Sequence, residues 1–188
     1  RRKALVSDNS GWRCYPVTML LVREKNKIKH IELDFSVTYS STCPCSAALA
    51  RSLIQQNFKE SFSKDNLDFD QIIQWIGSEK GINATPHAQR STAHVRTILK
   101  TDCTQVPLKQ YIDIVEEALQ TVVQAAVKRE DEQEFARINA KNLLFCEDAA
   151  RRIKHVLEQQ QEIDGFWLRV HHHESLHPHD ATAEASSD

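Results

Sequence analysis

Two cysteines stand one proline apart in the stretch SSTCPCS, Cys43 and Cys45, and chemistry offers two uses for such a pair. Either they form half of a structural zinc knot, or one sulfur holds a metal ion while the other handles a substrate. A cysteine-rich structural site needs a second close thiol pair. Cys14, Cys103 and Cys146 are each isolated, which counts against the knot. A catalytic site keeps one coordination position open for water and accepts sulfur, imidazole and carboxylate together. Imidazoles are available: every histidine except His30 lies after position 80, with His87 in TPHAQRS and His177 and His179 in ESLHPHDA, both at breaks between periodic segments. Loops carried on a rigid scaffold commonly place reactive groups at such breaks. Taken singly, each of these reads more plainly as a solvated surface histidine. His171, His172 and His173 read the same way, with strand alternation sending the middle ring to the opposite face from its neighbours. Carboxylates come in VKREDEQEFA and FCEDAARR, each at the edge of a helix. Capping or solvation accounts for Glu130, Asp131 and Glu134. Glu132 and Glu147 stand out only in combination with the thiols and histidines.

The elements that must position these groups follow from periodicity. CYPVTMLLV and KIKHIELDFSVTYS have the β-branched and aromatic content of strands, with the charged REKNK between them as a hairpin turn. The second strand runs into the cysteine pair. From Ser46 the pattern turns helical through Leu49, Leu53, Ile54 and Phe58, and LDFDQIIQWIGSE reads as a second helix, capped by Asp68 or Asp70 and stopped near Gly77 or Gly81. The loop GINATPHAQRS leads into the strand TAHVRTILK. PLKQYIDIVEEALQTVVQAAV, with proline at its start, and LLFCEDAARRIKHVLEQQ read as two further helices. GFWLRVHHHES is a strand, and ATAEASSD a short tail able to complete one. The order ββαα, β, αα, β predicts an α+β domain with helices on one face of an antiparallel sheet.

Composition narrows the class. A chain of 188 residues, 40% hydrophobic and 27% charged, suits one soluble domain with a real core. A net charge of −2 and a pI near 6.5 leave no basic footprint for nucleic acid. No run reaches membrane-spanning length, and no signal-peptide pattern precedes the fold. Five cysteines without framework spacing fit a reducing compartment, so a cytoplasmic location is expected.

Five ordered motifs, SSTCPCS, HAQRS, VKREDEQEFA, FCEDAARRI and ESLHPHDA, closely resemble those of the type IB GTP cyclohydrolases, over nearly the whole chain. The resemblance implies a tunnelling fold, whose ββααββ-type modules pack side by side into barrels with active sites at subunit interfaces. A homo-oligomer, by family a tetramer, is therefore expected. Members of the family are longer, with two modules per subunit, so residues 1–188 are expected to be the C-terminal part of a bimodular chain. Two departures stand out. A helical insertion lies between Ser46 and Thr85, and the glycine that precedes the motif histidine in many members is replaced by Thr85 and Pro86.

The implied reaction converts GTP and water to 7,8-dihydroneopterin triphosphate and formate, the first committed step toward folate and toward 7-deazaguanine modification of tRNA. It implies a divalent metal, zinc, manganese or iron, whose bound water has its pKa lowered to about 7. Cys43, Glu132 and a histidine would hold it, His177 as first choice and His87 as second, the other histidine moving protons. Cys45 would work against carbon 8 of guanine, since in an extended C-P-C both side chains point to similar sides; its alternative role is a second metal ligand. Glu147 would read guanine from a buried position through two parallel hydrogen bonds. Arg90, Lys128 and Arg129 are candidates for the triphosphate. Two rivals belong to other classes. A nitrile reductase of the same fold would need a nicotinamide site and no metal, and a non-catalytic metal- or nucleotide-binding module would need neither Cys45 nor Glu147.

Overall fold

The computed structural model describes residues 1–187. Its elements in chain order are β1 (Arg2–Lys3), β2 (Ser10–Gly11), β3 (Val17–Glu24), β4 (Lys27–Thr42), α1 (Pro44–Ser61), α2 (Phe69–Ile76), β5 (Ala88–Leu99), α3 (Leu108–Leu119), α4 (Arg129–Lys141), α5 (Cys146–Glu158), β6 (Ile163–His172) and β7 (Ala181–Ser186). Strands β3 to β7 form an antiparallel sheet in sequence order. The β3–β4 hairpin turns at Lys25 and Asn26, both with positive φ, the backbone that a tight hairpin turn matched to strand twist requires.

Period-two alternation decides which face is dry. Ile31, Leu33, Phe35, Val37 and Tyr39 of β4, Ala93, Val95 and Leu99 of β5, and Phe166, Leu168 and Val170 of β6 are all buried. They pack against Tyr111, Ile112, Val115 and Leu119 of α3 and Ala149, Ala150, Ile153 and Leu157 of α5 in one core. Each large side chain buried there contributes about 1.5–3 kcal/mol. The opposite face of the sheet carries Glu32, Asp34, His94, Arg96, Arg169 and Glu184, linked by the ion pairs Arg96–Asp34 and Arg169–Glu184. The α+β class with helices on one face is thus observed.

Two expectations need correction. The helix read from Pro107 through Val127 ends at Leu119, where Gln120 takes φ 64°. The β-branched run Thr121–Val122–Val123 then lies along β4, with Ser40 N–H donating to Thr121 O at 2.8 Å and Val123 N–H to Thr38 O at 3.2 Å. Strand β3 pairs with β4 only as far as Phe35, so the second half of that edge needs another backbone partner, and this demand overrides the helical pattern. Residues 129–141 form a separate helix, α4, which the sequence reading does not set apart; the C-terminal tail completes a strand as expected, β7, paired with β6.

The segment between Ser46 and Thr85 behaves unlike the rest. Helix α2 is capped by Asp68, which accepts from Gln71 N–H at 2.8 Å, and its C-cap is Gly77. It packs on α1 through Phe58, Phe62 and Trp75, yet leaves Leu49, Leu53, Phe69, Ile73 and Ile76 exposed. Strand β3 is exposed on both faces, Val17, Met19, Leu20, Leu21 and Val22 included. No helix among the described residues is long and apolar enough to cross a membrane.

Candidate active site

The cysteine pair does not continue the strand. Cys43 is the N-cap of α1, with Pro44 and Cys45 in its first turn, because proline at N1 is pre-organised for helix and lacks only an N–H that would go unused. The pair is thus split between a cap and a helical turn, correcting the extended geometry expected of C-P-C: Cys43 is partly buried and Cys45 exposed. Two backbone ties bind this helix start to the segment ahead of β5. Cys43 N–H donates to His87 O at 3.3 Å, and His87 N–H donates to Ser46 Oγ at 3.0 Å. Residues separated by forty positions are so joined at one point.

Strand register then adds two groups that spacing alone did not reveal. The β5–β6 ladder pairs Ser91 with His172, and His173 N–H bonds Arg90 O at 3.2 Å beyond it. One step further, Gln89 and Glu174 face each other, Gln89 Nε2 donating to Glu174 Oε1 at 3.2 Å. Gln89 Oε1 lies 3.0 Å from His87 Nδ1. The available signal was HAQRS itself, where Gln89 stands two residues from His87 in what becomes a strand.

Beside this cluster is an open cleft of about 470 Å³, lined among others by Ser40, Gln89, Arg90, Val123, Glu132 and Phe135. Glu132 and Arg90 thus share one wall system, the first from the start of α4 and the second from β5. Lys128 stands apart, exposed and ion-paired to Asp8 at 2.8 Å. Arg129, first residue of α4, is exposed. His177 is exposed in the β6–β7 connection, its ring stacked on that of His179 with centroids 5.4 Å apart; it is not brought to the Cys43–His87 tie.

Glu147 is exposed in the first turn of α5, which corrects the expectation of a buried carboxylate. Capping does not occupy it: Phe145 N–H donates to Asp148 instead, at 3.2 Å. The Cys146 thiol donates to Glu147 Oε2 at 3.2 Å. Burial, and then this hydrogen bond, push that thiol up to about 11, so it stays a donor. Below lies His172, which corrects the reading of all three consecutive histidines as solvated. It is buried, its Nε2 lies 2.8 Å from the Tyr39 hydroxyl, and burial lowers it to about 4 despite the opposing field of Glu147. Burial likewise raises Tyr39 above the usual phenol range.

Sulfur, imidazole and carboxylate at Cys43, His87 and Glu132 match in type what a borderline-soft divalent ion accepts. Among the described residues, however, no three His, Cys, Asp or Glu side chains already converge into a coordination shell.

Comparison with known proteins adds independent findings. The family profile described as type I GTP cyclohydrolase FolE2 matches residues 1–183. The GTP cyclohydrolase FolE2 of Pseudoalteromonas translucida is 55% identical over 185 residues, 98% of this chain and 61% of that protein. Those of Hydrogenovibrio crunogenus and Pseudomonas putida are each 53% identical over 97% of this chain, covering 58% and 60% of their own lengths. The chain spans about three-fifths of the length of these relatives.

Proposed function

The chain belongs to the type I GTP cyclohydrolase FolE2 family, and from that premise we propose that it carries the catalytic chemistry of a GTP cyclohydrolase, opening guanine at carbon 8 and releasing formate to leave 7,8-dihydroneopterin triphosphate. The observation that carries the reading is the joining of Cys43 to His87 across the start of α1, beside a cleft walled by Glu132 and Arg90. Cys43, His87 and Glu132 would hold a divalent ion, zinc, manganese or iron, which when bound supplies an acidified water for attack on carbon 8. His87 is preferred over His177 as the imidazole ligand because its carbonyl accepts from Cys43 N–H and its own N–H donates to the Ser46 hydroxyl, fixing it against the cysteine turn, while His177, exposed on its loop, is suited to carrying protons.

Cys45, exposed on the first turn of α1, is the sulfur available to meet the reacting carbon. Glu147 would accept from the guanine ring N–H and exocyclic amine, a bidentate pairing that adenine cannot return. The Cys146 thiol holds one carboxylate oxygen in place. Arg90, in the cleft, suits the triphosphate better than Lys128, whose ammonium already pairs with Asp8.

The tunnelling fold and assembly into barrels belong to the same proposal. They are supported by a sheet covered by helices on one face only and by β3, an edge strand exposed on both faces, where strands of a second copy would continue the sheet. The test is to load the protein with zinc or manganese, incubate it with GTP, and assay formate together with a fluorescent oxidised pterin. Both products are expected in step; GTP left intact by a folded, metal-loaded protein overturns the reading.

A further inference from the structure

Gln89 is a buried amide, 8% exposed, whose two ends are both engaged by chemistry-bearing side chains. Such burial is tolerated only when both ends are hydrogen-bonded. Their polarity can be worked out. A carboxylate accepts and cannot donate, so the end of the amide facing Glu174 Oε1 at 3.2 Å is the NH₂. The oxygen is thereby turned to His87, 3.0 Å from Nδ1. An amide oxygen only accepts, so Nδ1 carries the proton. In the neutral ring the other nitrogen, Nε2, is then a bare electron-pair donor.

Resting on the reading of His87 as a site residue, we propose that Gln89 is a positioning residue which, oriented by Glu174, locks His87 in its Nδ1–H tautomer and so presents Nε2 to the incoming ion. The Glu174 carboxylate acts at one remove. Its nearer oxygen to the ring, Oε2, is 3.9 Å from Nδ1, beyond hydrogen-bond range, so the amide is the direct partner and passes on orientation without charge. Backbone ties from Cys43 and to Ser46 hold the residue in place, and the relay fixes its ring. An outer partner on the second nitrogen is what a metal-binding imidazole commonly needs for a defined tautomer.

The test reads the tautomer directly. Imidazole-¹⁵N-labelled protein without metal should show His87 with a protonated Nδ1 and a bare Nε2. Gln89→Leu, which removes the outer partner, should give a mixture of tautomers and a zinc affinity, measured by chelator competition, lower by about 10- to 100-fold; Glu174→Gln, whose amide can face Gln89 either way round, should give a mixture of tautomers with a smaller loss, about twofold for an even mixture. The exchange Gln89→Glu with Glu174→Gln reverses the amide while keeping its polarity, and should restore both readouts; this also covers a Gln89→Leu chain that fails to fold. A parent ring protonated on Nε2, or single variants with parental tautomer and zinc affinity, overturns the relay. A tautomer that responds as expected in a protein binding no zinc supports the relay and overturns the metal reading instead.

Discussion

Helices α4 and α5 begin with the same device. The N–H of the residue before each helix donates to an aspartate three positions on, Lys128 to Asp131 at 2.8 Å and Phe145 to Asp148 at 3.2 Å, and each aspartate has a glutamate neighbour, Glu132 or Glu147, left free by that division of labour. What differs is the anchoring. Asp131 is fully buried and also accepts from Val6 N–H at 2.8 Å, Ser7 N–H at 2.9 Å and the Ser7 hydroxyl. Asp148 is half-exposed and, among the described residues, otherwise pairs with Arg151. The start of α4 is therefore bolted to the first residues of the chain, and the placement of Glu132 depends on distant sequence. The start of α5 is set locally, and Glu147 takes its orientation from the thiol beside it.

The largest effects should fall on the two free glutamates. Glu132→Gln is expected to lower zinc affinity and turnover together, by more than the roughly 10- to 100-fold that loss of an outer partner costs a metal site. Metal content and formate release, measured on the same preparation, check it; parental values for both would class Glu132 with Glu130 as a solvated acid. Glu147→Gln is expected to cost about 1–3 kcal/mol of guanine recognition, or roughly 5- to 150-fold in kcat/KM for GTP. Zinc content and melting temperature should stay at parental values, and a shift in either would give Glu147 a structural duty that Asp148 was thought to hold alone.

Next comes the anchor. In Asp131→Asn either orientation of the amide turns its NH₂ toward a backbone N–H, of Val6 and Ser7 on one side or Lys128 on the other. Both the lost charge and the mismatch destabilise, and a fall in Tm of roughly 5–10 °C is expected. The carboxyl is held below its ordinary value of 3.8 by these backbone and hydroxyl donors, against the opposing effect of burial. A lowered native pKa means that the unfolded chain binds the proton more readily, so the stabilisation is complete above about pH 4 and drains away as the pH falls further. Thermal melts of parent and Asn variant should therefore converge in acid. Parallel curves down to low pH would show that the four donors do not carry the anchor.

Sequence made much of this visible, and the gaps have physical causes. The hairpin, the strand character of β4 and a cap at Asp68 or Asp70 are legible because alternation and capping are local. The break after Leu119 is not, since the unpaired half of the β4 edge, a tertiary demand, decides it. The division between Asp131 and Glu132, or Asp148 and Glu147, turns on which acid sits three positions past the cap, and so needs a helix boundary accurate to one residue. At His172 alternation places the middle ring on the opposite face from its neighbours, and only the packed helices make that face the core. Gln89 and Glu174 become partners only through the β5–β6 register, which no spacing within either motif encodes.

The smallest effect expected is at Asp148, and it sharpens the comparison most because the substitution is the same as at Asp131. Asp148→Asn keeps one oxygen able to accept from Phe145 N–H, and its NH₂ can turn toward solvent, so the cap survives. What is lost is the ion pair with Arg151, an exposed i,i+3 contact, together with one negative charge in the first turn of α5; each is worth only a few tenths of a kcal/mol. The expected change in Tm is about 1–2 °C, with kcat/KM for GTP unaltered. Asp148→Ala, which removes the acceptor as well, should cost about 1 kcal/mol and loosen the turn that carries Glu147. If the Asn variant proved as damaging as Asp131→Asn, the two helix starts would be anchored alike. The contrast between a bolted and a locally set glutamate would then fail.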